Sequence, residues 1–271
     1  MVRPPGDTYV SQLSNPVQEM PLVRTIRTTV LSAVAGLVAT AAVAQETAPP
    51  FIMATYYRCD YSRQTRADTL YRQVMVPALD RQIKAGNLSA YGFSSHRIGG
   101  VFRRLETWTA PTLAKLIAAQ DAFDTDLQKT NPKGSAEFDA ICGSHDDYIW
   151  QRVLGSTPNP PSPPPAFSYS RYLTCDMAKE GEADMIMETA LAPIMNKHVT
   201  AGHIKGWGWF THNMGGTIRR ILNWSGPDVM SVLNAEEMIS NDIAAHPLGS
   251  AFTAICNSHT DYVWRSEVAS P

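Results

Sequence analysis

AICGSHDDYIW, at residues 140–150, occurs a second time as AICNSHTDYVW, at residues 254–264. Eight of the eleven letters are unchanged, and they include a cysteine, a histidine, an aspartate, a tyrosine and a tryptophan at the same spacing. A longer pair also matches, AGNLSAYGFSSHRIGGVFRR at 85–104 and AGHIKGWGWFTHNMGGTIRR at 201–220. A match sustained over about 100 residues indicates a tandem duplication.

A proline-rich segment, GSTPNPPSPPP at residues 155–165, separates the two predicted repeats, 51–154 and 166–268. Such a composition favours the extended polyproline II conformation and acts as a semi-rigid spacer. The chain is therefore predicted to contain two units of similar length joined by a stiff connection.

Each repeat reads as a strand, a helix, a hairpin with two glycines at its turn, a second helix and a closing strand. In the first repeat these elements are a strand at 52–60, a helix at 66–85, a hairpin turn at 99–100, a helix opened by Pro111 and a strand at 148–153. In the second repeat they are a strand at 167–176, a helix at 182–201, a hairpin turn at 215–216, a helix opened by Pro227 and a strand at 262–268. Pro77 and Pro193 fall inside the first helix of each repeat, which predicts a kink. This βαββαβ order is the ferredoxin-like plan of the α+β class, an antiparallel sheet with helices on one face.

The order of elements and its duplication resemble the dimeric α+β barrel superfamily, in which two ferredoxin-like units form one barrel. The resemblance covers about residues 51–268 and rests on topology, since no short motif marks one enzyme family. It implies an intramolecular pseudo-dimer, in which each repeat covers the sheet face that the helices of the other leave bare. It also implies a range of functions, because the superfamily includes cofactor-independent enzymes alongside proteins of no known activity.

Four cysteines, two in each repeat, predict disulfide bonds, and four cysteines allow three pairings. In a βαββαβ unit the end of the first strand and the start of the fourth lie at the same edge, on neighbouring strands. This topology favours Cys59–Cys142 and Cys175–Cys256, one bond in each repeat. A redox-active pair is the alternative, although the chain has no C-x-x-C motif.

The N-terminal sequence indicates export. MPLVRTIRTTVLSAVAGLVATAAVAQ, residues 20–45, has two arginines, an apolar run and an A-x-A arrangement, which is the pattern of a secretory signal peptide. Residues 1–44 are assigned to an N-terminal extension and signal peptide, with the start at Met1 or Met20 left open. We expect a periplasmic or extracellular protein without a membrane anchor, and an uncleaved anchor is the alternative.

Composition limits the partners and cofactors. Charged residues make up 18% of the chain and its net charge is −2, so no basic excess attracts nucleic acid. The sequence contains no nucleotide-binding glycine motif and no zinc-like cluster, so neither a cofactor nor a metal is expected. A small apolar or anionic molecule is the expected ligand. The choice between a monomer and a homo-oligomer is left open.

The candidate catalytic residues recur in both repeats and are His96, His212, Arg104 and Arg220. The hairpin turns place His96 opposite Arg103, and the alternation of side chains directs one of the two adjacent arginines towards the helices or the barrel interior. The functional interpretation is a cavity in which the arginine holds an anion and the histidine moves a proton. The structural interpretation is an ion pair, with Asp60, Asp176 or Glu106 as the partner.

The aromatic residues suggest a second site. The candidate ligand-binding residues are Trp207, Trp209 and Tyr172, and the first repeat has Tyr91 and Phe93 in place of the two tryptophans. This asymmetry favours a pocket that is better developed in the second repeat.

His145 and His259 are predicted to lie in a turn before the last strand, where Asp147 and Asp261 cap the turn or orient the imidazole.

The sequence leaves three candidate functions. The first is an exported small-ligand-binding or stress-associated barrel. The second is a cofactor-independent enzyme of the oxygenase or isomerase type, with a His/Arg site in the barrel. The third is an assembly module that pairs through sheet edges.

Overall fold

The computed structural model describes residues 48–156 and 165–270. The first half consists of β1 (Phe51–Arg58), α1 (Gln64–Leu70), α2 (Val76–Lys84), β2 (Ala90–Gly99), β3 (Arg104–Ala110), α3 (Leu113–Thr130), α4 (Pro132–Cys142) and β4 (Ser144–Ser156). The second half consists of β5 (Phe167–Thr174), α5 (Glu180–Ile186), α6 (Ala192–Thr200), β6 (Gly206–Met214), β7 (Arg220–Gly226), α7 (Val229–Ala245), α8 (Gly249–Ile255) and β8 (Ser258–Ala269).

Both halves have the predicted order of strands and helices, with each predicted helical region divided in two. The second helical region begins at Leu113 and Val229, after the N-cap residues Thr112 and Asp228 rather than at the prolines. The predicted signal peptide lies outside the described residues, as does most of the proline-rich linker. The first two linker residues belong to β4, which extends to Ser156.

The eight strands form one closed antiparallel barrel in the order β1-β3-β2-β8-β5-β7-β6-β4. The two halves join edge to edge, where β4 pairs with β6 and β2 pairs with β8. Closure pairs every described strand on both sides, which removes the free edges that another chain could extend. The sheet-edge assembly module therefore has no unpaired strand to use within residues 48–156 and 165–270.

Side chains alternate between the two faces of the sheet, and each face builds its own core. The inner face is mainly aromatic and fills the barrel with Tyr56, Tyr148, Trp150, Tyr172, Tyr262 and Trp264. The outer face of each half packs against the helices of the same half and forms two further apolar clusters. A site can therefore lie inside the barrel, or outside it between sheet and helices.

The kinks predicted at Pro77 and Pro193 take the form of π-helical turns, Tyr71–Met75 and Met187–Leu191. Proline has no N–H for the carbonyl four residues earlier, and a wider turn accommodates that loss. The first of these turns buries the Tyr71 ring, which stacks on Phe93 with centroids 3.8 Å apart. The turn thereby holds the Tyr71 hydroxyl over the outer face of the sheet.

The two disulfides are Cys59–Cys142 and Cys175–Cys256, as predicted, one within each half. The hairpin glycines also occur where expected, and Gly99 and Gly215 have φ values of 127° and 131°. They have a second reason to be glycine, because a Cβ there would collide with Tyr262 or Tyr148 of the other half. Turn chemistry predicted these glycines, whereas the close contact between the halves became visible only in the structure.

Candidate functional site

The outer face of the first half contains a cavity of about 400 Å³ between the sheet and helices α3 and α4. Its floor is formed mainly by buried or partly buried side chains, among them Met53, Tyr57, Tyr71, Glu106, Trp108, Phe123 and Phe138. Its rim is formed by the exposed side chains Asp124, Gln128, Asp139, His145 and Asp147. A mostly apolar floor with a few polar groups is the usual form of a small-molecule site.

Glu106 on β3 is the buried carboxyl group at the floor of this cavity and is 5% exposed. The Tyr57 hydroxyl donates to its Oε2 and the Tyr71 hydroxyl donates to its Oε1, both at 2.8 Å. Burial disfavours the charged form and raises the pKa of Glu106, while these hydrogen bonds oppose the rise. The pKa of Glu106 therefore lies above that of an ordinary glutamate.

Trp108 adds an unused hydrogen-bond donor to the floor. Its indole N–H is buried and makes no hydrogen bond within the described residues, yet it lies close enough to Glu106 to lower the pKa of that carboxyl. Buried donors usually have a partner. The N–H group is therefore available to a ligand or to water.

The rim of the cavity is acidic. His145 Nε2 lies 3.2 Å from Asp147 Oδ2, because residues two apart on β4 point to the same side. The predicted role of Asp147 in orienting the imidazole agrees with this distance, but the predicted turn is wrong, since β4 begins at Ser144. Burial raises the pKa of Asp124 and that of Asp139. The lining has four carboxyl groups, counting Glu106, and no lysine or arginine.

The equivalent region of the second half is occupied by side chains. Thr55 pairs with Glu106 and Asp147 on the neighbouring strands, and Arg171 pairs in the same register with Leu222 and Asp261. An arginine therefore stands where the first half has a threonine, and a leucine stands where it has the buried glutamate. The positions of Tyr57 and Tyr71 are taken by Leu173 and Met187, which belong to the apolar core.

The predicted arginines, Arg104 and Arg220, are both 4% exposed. Arg104 Nε lies 2.5 Å from Asp68 Oδ1, and Arg220 Nε lies 2.8 Å from Asp184 Oδ1. The partners named from the sequence, Asp60, Asp176 and Glu106, are wrong. The two arginines extend outwards and pair with carboxylates of α1 and α5.

His96 and His212 lie opposite arginines, as predicted. The His96 amide donates to the Arg103 carbonyl at 3.0 Å, and the Arg103 guanidinium donates to His96 Nδ1 at 3.0 Å. Arg219 donates to His212 Nδ1 in the same way, at 2.8 Å. Burial and the neighbouring arginine lower the pKa of each histidine, which leaves a neutral ring with its proton on Nε2.

His96 and Arg104 both line a cleft of about 420 Å³ between the two halves, together with Arg97, Arg265 and Glu267. The structure thus brings two of the four predicted catalytic residues together. Arg104 binds Asp68 and Gln64, and His96 Nδ1 accepts from Arg103, whereas His96 Nε2 is buried without a hydrogen bond within the described residues. The catalytic role of the His/Arg set stays a prediction.

The three predicted ligand-binding residues lie on opposite faces of the sheet. Trp207 and Trp209 face the helices, where their N–H groups donate to Asn196 and Asp184, both at 2.8 Å. Tyr172 lies inside the barrel, accepts from Trp264 Nε1 at 3.1 Å and lines an apolar pocket of about 280 Å³. The three cannot line one pocket, and the acidic cavity lies in the first half, against the predicted asymmetry.

Sequence reasoning missed Glu106, Tyr57 and Tyr71 as site residues because it selected residues that recur in both halves. A usable signal was present in the positions that differ, Glu106 against Leu222 and Thr55 against Arg171. A charged residue that is present at a position in one half and absent from the equivalent position in the other indicates a local difference in chemistry.

No group of three or more histidine, cysteine, aspartate or glutamate residues in 48–156 and 165–270 is arranged to hold a metal ion. In the same part of the chain, no helix has both the length and the apolar character needed to cross a bilayer.

No protein-family model and no curated protein matches the chain. Solved structures do match, and the three named here are each 8% identical to the chain. They include a predicted monooxygenase from Fusobacterium nucleatum (TM-score 0.56, covering 82% of this chain and 94% of that chain) and an anthrone oxidase-like protein (0.54, 83% and 94%). A mutant chlorite dismutase from Candidatus Nitrospira defluvii matches with a TM-score of 0.50, covering 83% and 92%. These are dimeric α+β barrel proteins, and the chain has the fold of that superfamily.

Proposed function

We propose that the protein binds a small organic molecule in the cavity of the first half, with Glu106 as the group that contacts the ligand at the cavity floor. The observation that carries the proposal is a buried carboxyl with two tyrosine donors at the bottom of a cavity of about 400 Å³. A few polar groups at fixed positions in an otherwise apolar cavity provide the specificity of such sites.

The second half supports the proposal by contrast. Its sheet and helices pack with Leu222, Leu173 and Met187 at the equivalent positions, so this architecture does not need the Glu106 group for its stability. A buried carboxyl is costly, and proteins keep such groups mainly where function uses them.

Proton transfer is the second candidate function, in a cofactor-independent enzyme of the oxygenase or isomerase type. It is favoured by the raised pKa of Glu106, because a general acid or base works best when it titrates near the operating pH. In this mechanism Glu106 takes a proton from the ligand, while Tyr57 and Tyr71 hold the carboxylate in position. The His/Arg residues are a weaker candidate, since Arg104 and His96 Nδ1 already have protein partners, although His96 Nε2 has none within the described residues.

We also propose that the protein is exported and that its two halves arose by duplication. Two intramolecular disulfides support export, since such bonds persist mainly in oxidising compartments. The common order of elements and the common strand register of the halves support duplication.

Native mass spectrometry of protein purified from an oxidising compartment tests the binding function. We expect a retained small molecule that a triple variant, Tyr57→Leu, Tyr71→Met and Glu106→Leu, no longer holds. The variant carries side chains that already pack in the second half, so it should stay folded, which its thermal unfolding checks. Tyr172→Phe, in the separate pocket inside the barrel, is the control and should retain the molecule. Retention by the triple variant, or loss in the control alone, contradicts the proposal.

A further inference from the structure

We infer that the ligand of the first-half cavity is an organic cation, a guanidinium, amidinium or ammonium group, which takes the place that the Arg171 side chain fills in the second half. This inference rests on the proposed binding function and deepens it by naming the charge of the ligand.

The second half shows how this architecture accommodates a cation. The Arg171 guanidinium donates to Glu236 Oε1 at 2.6 Å and to Ser240 Oγ at 3.1 Å, and its Nε lies 3.5 Å from Asp261 Oδ1. It also lies over the Trp224 ring, 5.8 Å from the centroid. Its side chain is 14% exposed, so the charge is largely removed from water. Such a position is stable only with carboxylate partners.

The first half lacks the arginine and keeps one of its two acidic partners, since Gln120 stands at the position of Glu236 in the matching helix. Asp147 occupies the position of Asp261, and Thr55 occupies that of Arg171. Glu106, which has no counterpart in the second half, adds a further carboxyl on the strand beside Thr55. The short threonine side chain leaves the volume in front of these carboxyl groups unfilled by protein.

The charges around this volume favour a cation. Burial is the main cause of the raised pKa of Glu106 and of Asp124, and repulsion from nearby carboxylates adds to it, from Asp147 for Glu106 and from Asp121 and Asp139 for Asp124. The half-exposed His145, already 3.2 Å from Asp147, is the basic side chain in the lining, which has no lysine or arginine. A cation in the cavity would relieve this repulsion, whereas an anion would add to it.

The charged end of the ligand is recognised by the carboxyl groups and not by the face of the Trp108 ring. The Trp224 indole N–H donates to the Val232 carbonyl at 3.1 Å, whereas the Trp108 N–H lies near Glu106 without a hydrogen bond. The Trp108 ring is edge-on to Phe123, with centroids 4.7 Å apart. The rings of the floor therefore favour a cation with an apolar or aromatic part, whose charged end reaches Glu106 and Asp147.

Isothermal titration calorimetry with benzamidinium, benzamide and benzoate tests the charge, because the three molecules have almost the same shape. The disulfide-bonded protein is titrated at neutral pH. We expect benzamidinium to bind at least about 10-fold more tightly than benzamide, and benzoate not to bind. Glu106→Gln should weaken benzamidinium binding by about 10-fold or more, because it removes one partner of the cation.

Thr55→Arg should abolish benzamidinium binding, since it supplies the cation from within, as Arg171 does. Asp60→Asn, which changes an exposed carboxylate outside the cavity, is the matched control and should leave the affinity unchanged. Arg171→Thr should create a second, weaker site, because it opens the equivalent volume in a half that lacks Glu106.

Two results would overturn the inference and leave the proposed binding function in place. One is a benzamide affinity equal to that of benzamidinium with both lost in Thr55→Arg, which would mean a cavity without charge preference. The other is benzamidinium binding that Thr55→Arg does not affect, which would place the cation on the surface. If none of the three probes binds, the inference is also wrong, while native mass spectrometry still decides the binding function.

Discussion

The two halves of this barrel have the same order of elements and the same strand register. They differ in whether the space between the sheet and the helices is filled. In the second half the space between sheet and helices is filled by Arg171 and its acidic partners and by apolar side chains. In the first half the same space is a cavity with a buried carboxyl at its floor. This architecture therefore accommodates either a filled space or an open cavity at this place, and the cavity is a local feature of the first half.

Residues that recur in both halves have structural contacts in both. Each half has its disulfide, its hairpin glycines packed on a tyrosine of the other half, and a buried arginine paired with a helix carboxylate. We infer that recurrence in this chain marks the scaffold, whereas function is to be sought in the positions that differ.

Removal of the disulfides should have the largest effect and should be nearly equal in the two halves. The bonds close loops with separations of 83 and 81 residues, so chain entropy predicts a similar loss for Cys59→Ser/Cys142→Ser and for Cys175→Ser/Cys256→Ser. We expect each double variant to lose about 2–5 kcal/mol of unfolding free energy. Urea denaturation measures both values. A difference above about 2 kcal/mol would contradict the equal roles that we assign to the two bonds.

The buried arginines should respond unequally. Asp68→Asn leaves Arg104 with the neutral Gln64, and we expect a loss of about 3 kcal/mol. Asp184→Asn leaves Arg220 with Glu180 at 3.0 Å, and the loss should be about 1–2 kcal/mol. Thermal and urea unfolding of the two variants provide the comparison. Equal losses would show that Glu180 does not compensate.

Arg171→Thr makes the second half resemble the first. It leaves Glu236 and Asp261 without their guanidinium partner and removes packing from Trp224, and we expect a loss of about 1–2 kcal/mol. Urea denaturation measures the loss, with Arg66→Thr, which removes an exposed ion pair with Glu137, as the control. A variant as stable as the wild type would contradict a structural role for this arginine.

Glu106→Gln should have the smallest effect on stability, and its size should depend on pH. Burial raises the folded-state pKa of Glu106, so its ionisation costs stability as the pH rises through that value. The stability of the variant relative to the wild type should therefore increase as the pH is raised from acid to neutral. Thermal unfolding across this range measures the trend, with the exposed Glu237→Gln as the control. A difference that is constant with pH would contradict the raised pKa.

Much of the fold could be predicted from the sequence, because its signals are local or repeated. Alternating and helical patterns, Gly99 and Gly215 at the turns, and the paired cysteines each follow from short-range chemistry. The partners of Arg104 and Arg220 could not be predicted in this way. They depend on which carboxylates of α1 and α5 face the sheet, and this is set by how those helices pack.

By itself the sequence determined that the chain has two similar α+β halves, each with its own disulfide, because periodicity and repeated motifs can be read along one dimension. The tertiary structure alone decided which volume stays open. Glu106, Tyr71, Phe123 and Asp147 come from four separate segments, and the space between them depends on how all four pack. A cavity is set by what its neighbours leave unfilled, and the order of residues along the chain does not contain that information directly.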